Sequence, residues 1–226
     1  MRRLTTSLIS LLLAFTVGVT AATLRLARRA APAPQTKVET PTPKREFALV
    51  IPRTTWEPIF FEPINKRTQT AKLSTLRAPL PEGALELRIW GGFGLSALEG
   101  FRIRRDGARW SASYFGTRFQ QGRFEEYTRG LAQPKSGWEG AWDRLVSLGL
   151  LELPDAERAG CSGRLNDGYS YVVELNVERV YRTYMYDNPD ASKCADAKRM
   201  LSIAAAVADE FGLEEFRPSA GPDRTR

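Results

Sequence analysis

The stretch Phe101-Arg102-Ile103-Arg104-Arg105-Asp106-Gly107-Ala108-Arg109-Trp110-Ser111-Ala112-Ser113-Tyr114 decides the fold. Apolar and polar residues alternate on both sides of Asp106-Gly107, and a period of two marks strands with one buried face. Asp-Gly suits a two-residue type I′ turn, whose twist matches that of the strands it joins. That turn sets Ile103 opposite Trp110 and Phe101 opposite Ala112, on one apolar face with Tyr114. The other face carries Arg102, Arg104, Arg109, Ser111 and Ser113, with Arg104 directly opposite Arg109. Like charges so placed repel. This face therefore calls for a compensating group, either an acid on a neighbouring strand such as Glu86 or an anionic ligand.

Working upstream, Leu85, Leu87 and Ile89 alternate with Glu86, Arg88 and Trp90, which is a further strand, and Gly91-Gly92-Phe93-Gly94 is a glycine-rich connection. Downstream, Ser136-Gly137-Trp138-Glu139 reads as a capping box, with Ser at the cap and Glu three residues on. Trp138, Trp142 and Leu145 follow at helical spacing, and Gly149 is a natural stop. Tyr169–Val177 and Val180–Tyr186 are β-rich runs around Glu178-Arg179, a second hairpin whose register that pair does not fix. Asn188-Pro189 suits a helix start. Cys194, Ala197, Leu201, Ala204, Ala208 and Phe211 then share a face up to Gly212. The expected architecture is α+β over residues 84–216. It is an antiparallel sheet built from two β-hairpins plus an extra strand, covered on one face by two helices.

Residues 45–83 contain apolar runs broken by Pro52, Pro58, Pro63, Pro79 and Pro81, and read as an extended arm with room for an edge strand. Residues 30–44 are a Pro-rich linker, extended at about 3 Å per residue. Residues 217–226, with two Pro and three Arg, read as a disordered tail. The chain opens Met1-Arg2-Arg3, followed by an apolar run from Leu4 to Leu24. A basic start before an apolar run is a secretion signal, and these 21 residues also reach the length of a membrane span. Val19-Thr20-Ala21 offers small residues for cleavage, whereas Arg25, Arg28 and Arg29 oppose translocation and favour an uncleaved anchor over residues 1–29. The expected location is the cell envelope, outside the cytoplasm, or secreted if the segment is cleaved.

The 226 residues carry a net charge of +7, but residues 1–44 hold +6, residues 217–226 hold +2, and residues 45–216 hold −1. A nucleic-acid-binding domain carries its positive charge on the folded body, so no nucleic-acid partner is expected. The two cysteines, Cys161 and Cys194, have neither CxxC nor zinc-finger spacing. In an oxidising compartment they can pair, closing a loop that stabilises the fold by about 3–4 kcal/mol. The alternative is two buried thiols.

There is no histidine, which removes Ser-His-Asp and Cys-His catalysis and most zinc sites. Gly92-Phe93-Gly94-Leu95-Ser96-Ala97 fits Gly-x-Gly-x-x-Ala after a strand. The dinucleotide fingerprint must open a helix within a βαβ unit, and here a hairpin follows. No cofactor, metal or catalytic set is expected. Glu174, Asp187 and Asp167 flank the second hairpin and are the acids a glycosidase would draw on. The candidate binding residues are Arg102, Arg104, Arg109, Trp90, Phe93, Tyr184 and Asp187. The tyrosines at 169, 171, 181, 184 and 186 could stack on sugars, although tyrosine also simply favours strands.

Three stretches carry a resemblance. They are Leu87-Arg88-Ile89-Trp90-Gly91-Gly92-Phe93-Gly94, Asn166-Asp167-Gly168-Tyr169-Ser170-Tyr171, and Tyr181-Arg182-Thr183-Tyr184 to Asp187-Asn188-Pro189. With both cysteines, the segment from Leu85 to Leu213 resembles uncharacterised families of exported bacterial proteins, which have no assigned activity to carry over. Its alternation of hairpins and helices also looks, loosely, like β-lactamase inhibitory proteins, an analogy at the level of fold. Three functions are in play. The leading one is a membrane-tethered domain that binds a ligand or protein at the envelope without catalysis. The others are a carboxylate-dependent hydrolase of envelope glycan and an inhibitor of an exported enzyme.

Overall fold

Seven strands form one sheet in the order β1-β7-β6-β2-β3-β4-β5. The coordinates are a computed structural model that describes residues 48–51, 57–93, 96–161 and 168–216. All of these belong to the unit Lys44–Arg226. The expected leader 1–29, linker 30–44, tail 217–226 and Asp167 lie outside the described residues.

The strands are β1 (Ala48–Val50), β2 (Leu85–Phe93), β3 (Ser96–Asp106), β4 (Arg109–Gln120), β5 (Arg123–Leu131), β6 (Ser170–Val177) and β7 (Val180–Asp187). The helices are α1 (Glu57–Thr70), α2 (Gly137–Ser147) and α3 (Ala195–Phe211). The class is α+β, but two finer expectations are corrected. The sheet is mixed, because the short edge strand β1 runs parallel to β7. It is also larger than two hairpins and a strand: β2, β3, β4 and β5 form a continuous meander, and the β6–β7 hairpin docks beside β2.

The hairpin at 101–114 forms with its turn one residue further on. Asp106 pairs with Arg109, Ile103 with Ala112 and Phe101 with Tyr114. Gly107 takes φ +60° at the first central position and Ala108 takes no positive φ, the pattern of a type II′ turn. Moving the turn by one residue shifts the pairing by two positions. The side-chain period is also two, so the same residues still point into the core. The expected Arg104–Arg109 opposition does not arise: Arg104 faces Ser111. In the second hairpin Glu178 and Arg179 both take positive φ, +49° and +66°, so two residues without glycine make the tight turn between Val177 and Val180.

Both faces of the sheet are covered. On one, Leu85, Leu87, Ile89, Phe101, Ile103, Tyr114, Tyr171 and Val173 meet α2, α3 and the loop 150–161. On the other, Phe61 and Ile64 of α1 pack on Trp90, Phe115 and Val172. The expectation of helices on one face alone is corrected by α1, which forms within the stretch read as an extended arm. Pro58 sits in its first turn, where a missing N–H costs little, and Pro63 lies inside it.

Two helix starts also differ from expectation. Ser136 is the N-cap of α2, but its side chain caps nothing. Its N–H and hydroxyl both donate to Glu210 of α3, at 3.0 and 2.9 Å, while Glu139 accepts from Trp110 Nε1 at 2.9 Å. The N-cap residue of α2 is thus held by a carboxylate from another helix. Asn188 is not the start of α3, which begins after Cys194. Instead its Oδ1 accepts the Tyr169 N–H at 3.1 Å and its backbone turns through φ +45°. Gly212 ends α3 in the left-handed conformation, as expected. Cys161 and Cys194 are joined by a disulfide, which ties the loop before β6 to the first turn of α3.

Candidate functional site

The second sheet face is polar by sequence, yet it is buried. The segment 71–83 crosses it without regular structure, so its carbonyls need partners from the sheet. Arg88 donates to Ser74 O, and Asn176 donates to Leu76 O and Ala78 O, each at 2.8 Å. Beneath that segment, Glu86 collects three guanidinium groups. Arg88 Nε reaches Oε1 at 2.7 Å, Arg102 takes both oxygens at 2.8 and 3.0 Å, and Arg104 reaches Oε2 at 3.0 Å. Burial alone would raise the Glu86 pKa. The hydrogen bond from Arg102 and the charges of Arg88 and Arg102 outweigh burial and hold the carboxyl below its ordinary value. Beside it, Glu174 accepts from Trp90 Nε1 at 2.8 Å and from Tyr181 at 3.0 Å.

The candidate binding residues do not converge on one open site. Arg102 and Arg104 are committed to Glu86, the compensating acid anticipated on the neighbouring strand. Arg109 is exposed at the turn, paired in the ladder with Asp106. Trp90 is buried under α1, and Phe93 packs edge-on against Phe60 at 5.2 Å. Tyr184 is buried, with its hydroxyl donating to Leu150 O at 2.9 Å, and Asp187 accepts from Ser170 at 2.6 Å. Tyr184 works with its neighbours in alternation along β7: Arg182 donates to Leu151 O and Leu153 O, and Tyr186 donates to Pro154 O. These side chains pin the loop 150–154 to the sheet. The tyrosine run is therefore structural, since Tyr171, Tyr181, Tyr184 and Tyr186 are all buried.

Acid chemistry finds little purchase. Glu174 is buried with both oxygens occupied. A cleft of about 160 Å³ beside β1 and β7 holds Glu152 and Asp155. However, Asp155 accepts the N–H groups of Met185 and Glu157 at 3.1 and 3.2 Å. The group Cys161, Cys194 and Asp196 has metal-like proximity, but the two sulfurs are bonded to each other and offer no thiolate.

Among the described residues, the most exposed large apolar side chains lie on a feature that the alternation at 101–114 does not disclose. The β3–β4 pairing stops at Gly100–Phe115, while β4 and β5 continue together to Gln120–Arg123. The last five β4–β5 rungs are thus a two-stranded ribbon, about 16 Å long at 3.3 Å per residue, that parts from β3 while β3 continues along β2 to Ser96. Phe119 and Phe124 face each other on its last apolar rung, 5.2 Å apart and 65% and 76% exposed. The opposite face carries Arg118, Glu125 and Arg123, with Glu125 at 3.9 Å from one arginine and 2.8 Å from the other. Gln121 and Gly122 turn through φ +52° and +80°. An X-Gly pair between two β-rich runs was the available signal.

Arg67 secures the base of the ribbon. It is buried, donates to Gly116 O and Tyr127 O, and pairs with Glu126.

No family model, curated protein or solved structure matches the chain.

Proposed function

We propose that this chain is a membrane-tethered extracytoplasmic domain whose work is binding rather than catalysis. The basic apolar leader and the Pro-rich linker support the tether, and the disulfide is compatible with an oxidising compartment. The observation that carries the binding reading is the commitment of the buried acids. Glu86 holds three arginines, Glu174 holds Trp90 and Tyr181, and Glu210 holds Ser136 and Arg144. A general acid needs a proton to give and a reacting group within reach. Carboxylates saturated by internal donors have neither. The exposed aromatic pair on the ribbon is the kind of feature that contacts a partner.

Two measurements test this. Cell fractionation is expected to leave the protein with membranes after high salt and to release it with detergent; release by salt alone overturns the tether. Incubation with purified cell-wall sacculi is expected to yield no soluble glycan. Release of new reducing ends, abolished by Glu152→Gln, would replace binding with hydrolysis.

A further inference from the structure

We propose that the tip of the β4–β5 ribbon is a lipid-contacting element, entering the outer part of a bilayer that contains anionic headgroups. Three observations combine. The tip is no longer paired with β3, and Phe119 and Phe124 are left largely uncovered by the described fold. It is amphipathic across the ribbon, with the ring pair on one face and Arg118 and Arg123, 59% and 73% exposed, on the other. Its charge is complementary: the two arginines share one carboxylate, Glu125, and Glu126 on the ring face is paired by Arg67, which leaves one net positive charge on the face opposite the rings.

That composition suits a membrane interface, where rings enter the acyl boundary while arginine stems reach back to phosphate. A protein partner fits it less well. Two rings of roughly 200 Å² each fall short of the about 800 Å² that a stable interface takes from each side. The base of the ribbon is held by Arg67 to α1, so the tip is presented by the folded body rather than by a loose loop. The proposal deepens the tethered reading, because a linker of some 15 residues at about 3 Å each keeps the domain within reach of the bilayer. The two can fail separately.

The test uses the full chain with its disulfide intact and an environment-sensitive fluorophore on Gln121→Cys. A second label at Ala108→Cys, the turn of the β3–β4 hairpin, is the control. Vesicles of phosphatidylcholine, with and without phosphatidylglycerol, are added. The tip label is expected to move into an apolar environment, more strongly with phosphatidylglycerol, while the Ala108 label stays in water. Phe119→Ser with Phe124→Ser should weaken this response by roughly tenfold per ring, with unchanged circular dichroism because both rings are exposed. A tip label that stays aqueous on chains bound to vesicles in high salt overturns the proposal and leaves the tether standing. A tip response on chains that salt releases supports the tip and overturns the tether. A response that appears without lipid and grows with protein concentration overturns the proposal in favour of self-association.

Discussion

Gly100 lies directly beneath the ring of Trp90, its cross-strand partner: a β-carbon added there would stand 2.5 Å from Trp90 Cζ3 and 3.0 Å from Phe115 Cδ2. The ring cannot swing aside freely, because its Nε1 is held by Glu174 at 2.8 Å and its face stacks on Phe115 at 5.5 Å. Glycine in mid-strand is usually a weakness, and here the aromatic cover replaces the missing side chain. Gly100→Ala should therefore cost about 1–3 kcal/mol through overpacking, read as a lower urea midpoint at unchanged slope. An unchanged midpoint would mean that α1 does not press on this face as described.

Arg67 tests the same face from the helix side. Its guanidinium serves two carbonyls and Glu126, and it is the described link between α1 and the ribbon base. Arg67→Met keeps the stem but removes the donors. It should cost about 2–3 kcal/mol, since buried charged hydrogen bonds are lost and a carboxylate is left alone. The diagnostic readout is hydrogen exchange: amides of residues 116–127 should lose protection well before those of β2 and β6. Uniform loss across the sheet would contradict a local role.

Half of this architecture was legible in the sequence because half of it obeys a period. The core face of β2, β3 and β4 is read from Leu85, Leu87, Phe101, Ile103 and Ala112, and it survives a misplaced turn because the shift is even. What escaped has a physical reason in each case. The second face looks solvated because Glu86, Arg88 and Asn176 are polar, yet all three are buried: Arg88 and Asn176 serve the carbonyls of residues 74–78, and Glu86 holds Arg88 and its neighbours. Proline argued against α1, although one of its prolines lies where no donor is needed. The capping box failed because Glu210, remote in sequence, reaches Ser136 first. For the site, Arg102 and Arg104 carry charge that calls for a compensating group, and Glu86 on the neighbouring strand supplies it, although the Arg104–Arg109 opposition behind that reading does not arise. Phe119 and Phe124 were missed because one turn of the meander, Gln121-Gly122, went unread.

The disulfide closes a separation of 33 residues. In the chain-entropy picture its loss costs about 3–4 kcal/mol. Replacing Cys161 and Cys194 together by Ala should lower stability by that order, measured by urea unfolding. The damage should be local at first, because the bond fastens the N-cap of α3 to the loop 155–161. A double variant as stable as the parent would show that α2 and α3 hold that loop unaided.

Alkali should expose the buried tyrosines as a group. Burial pushes the phenols of Tyr169, Tyr171, Tyr181, Tyr184 and Tyr186 above their ordinary value, and nearby acids add to this at Tyr169 (Glu99) and Tyr181 (Glu174). A group whose folded pKa is raised contributes stability that is fully present below the unfolded value, near 10, and lost as pH rises above it. The expectation is that these rings ionise only as the protein unfolds. Absorbance at tyrosinate wavelengths should then track loss of circular dichroism above about pH 10. Tyrosinate appearing in a chain that is still folded would contradict their burial.

Acid should act through Glu86 in the opposite sense. Its folded pKa is depressed by the arginines, so its contribution is present above the unfolded carboxylate value and is lost as pH falls through the lower folded value. The window lies below about pH 4.5, where the unfolded chain binds the proton first. Glu86→Gln separates this from general acid destabilisation. The amide keeps the shape but leaves Arg88, Arg102 and Arg104 without the carboxylate that binds all three, while the neighbouring Glu174 is taken up by Trp90 and Tyr181. Removing one partner of a buried charge cluster costs about 3–5 kcal/mol. Arg102 and Arg104 retain some access to water, which places the expected loss at the lower end. At neutral pH the variant should be less stable by about 3 kcal/mol, and as pH falls below about 4.5 the gap between variant and parent should narrow because the unfolded parent takes up a proton that the folded carboxylate resists. A gap that stays constant with pH would mean that Glu86 supports the sheet by shape alone and that its charge does no work.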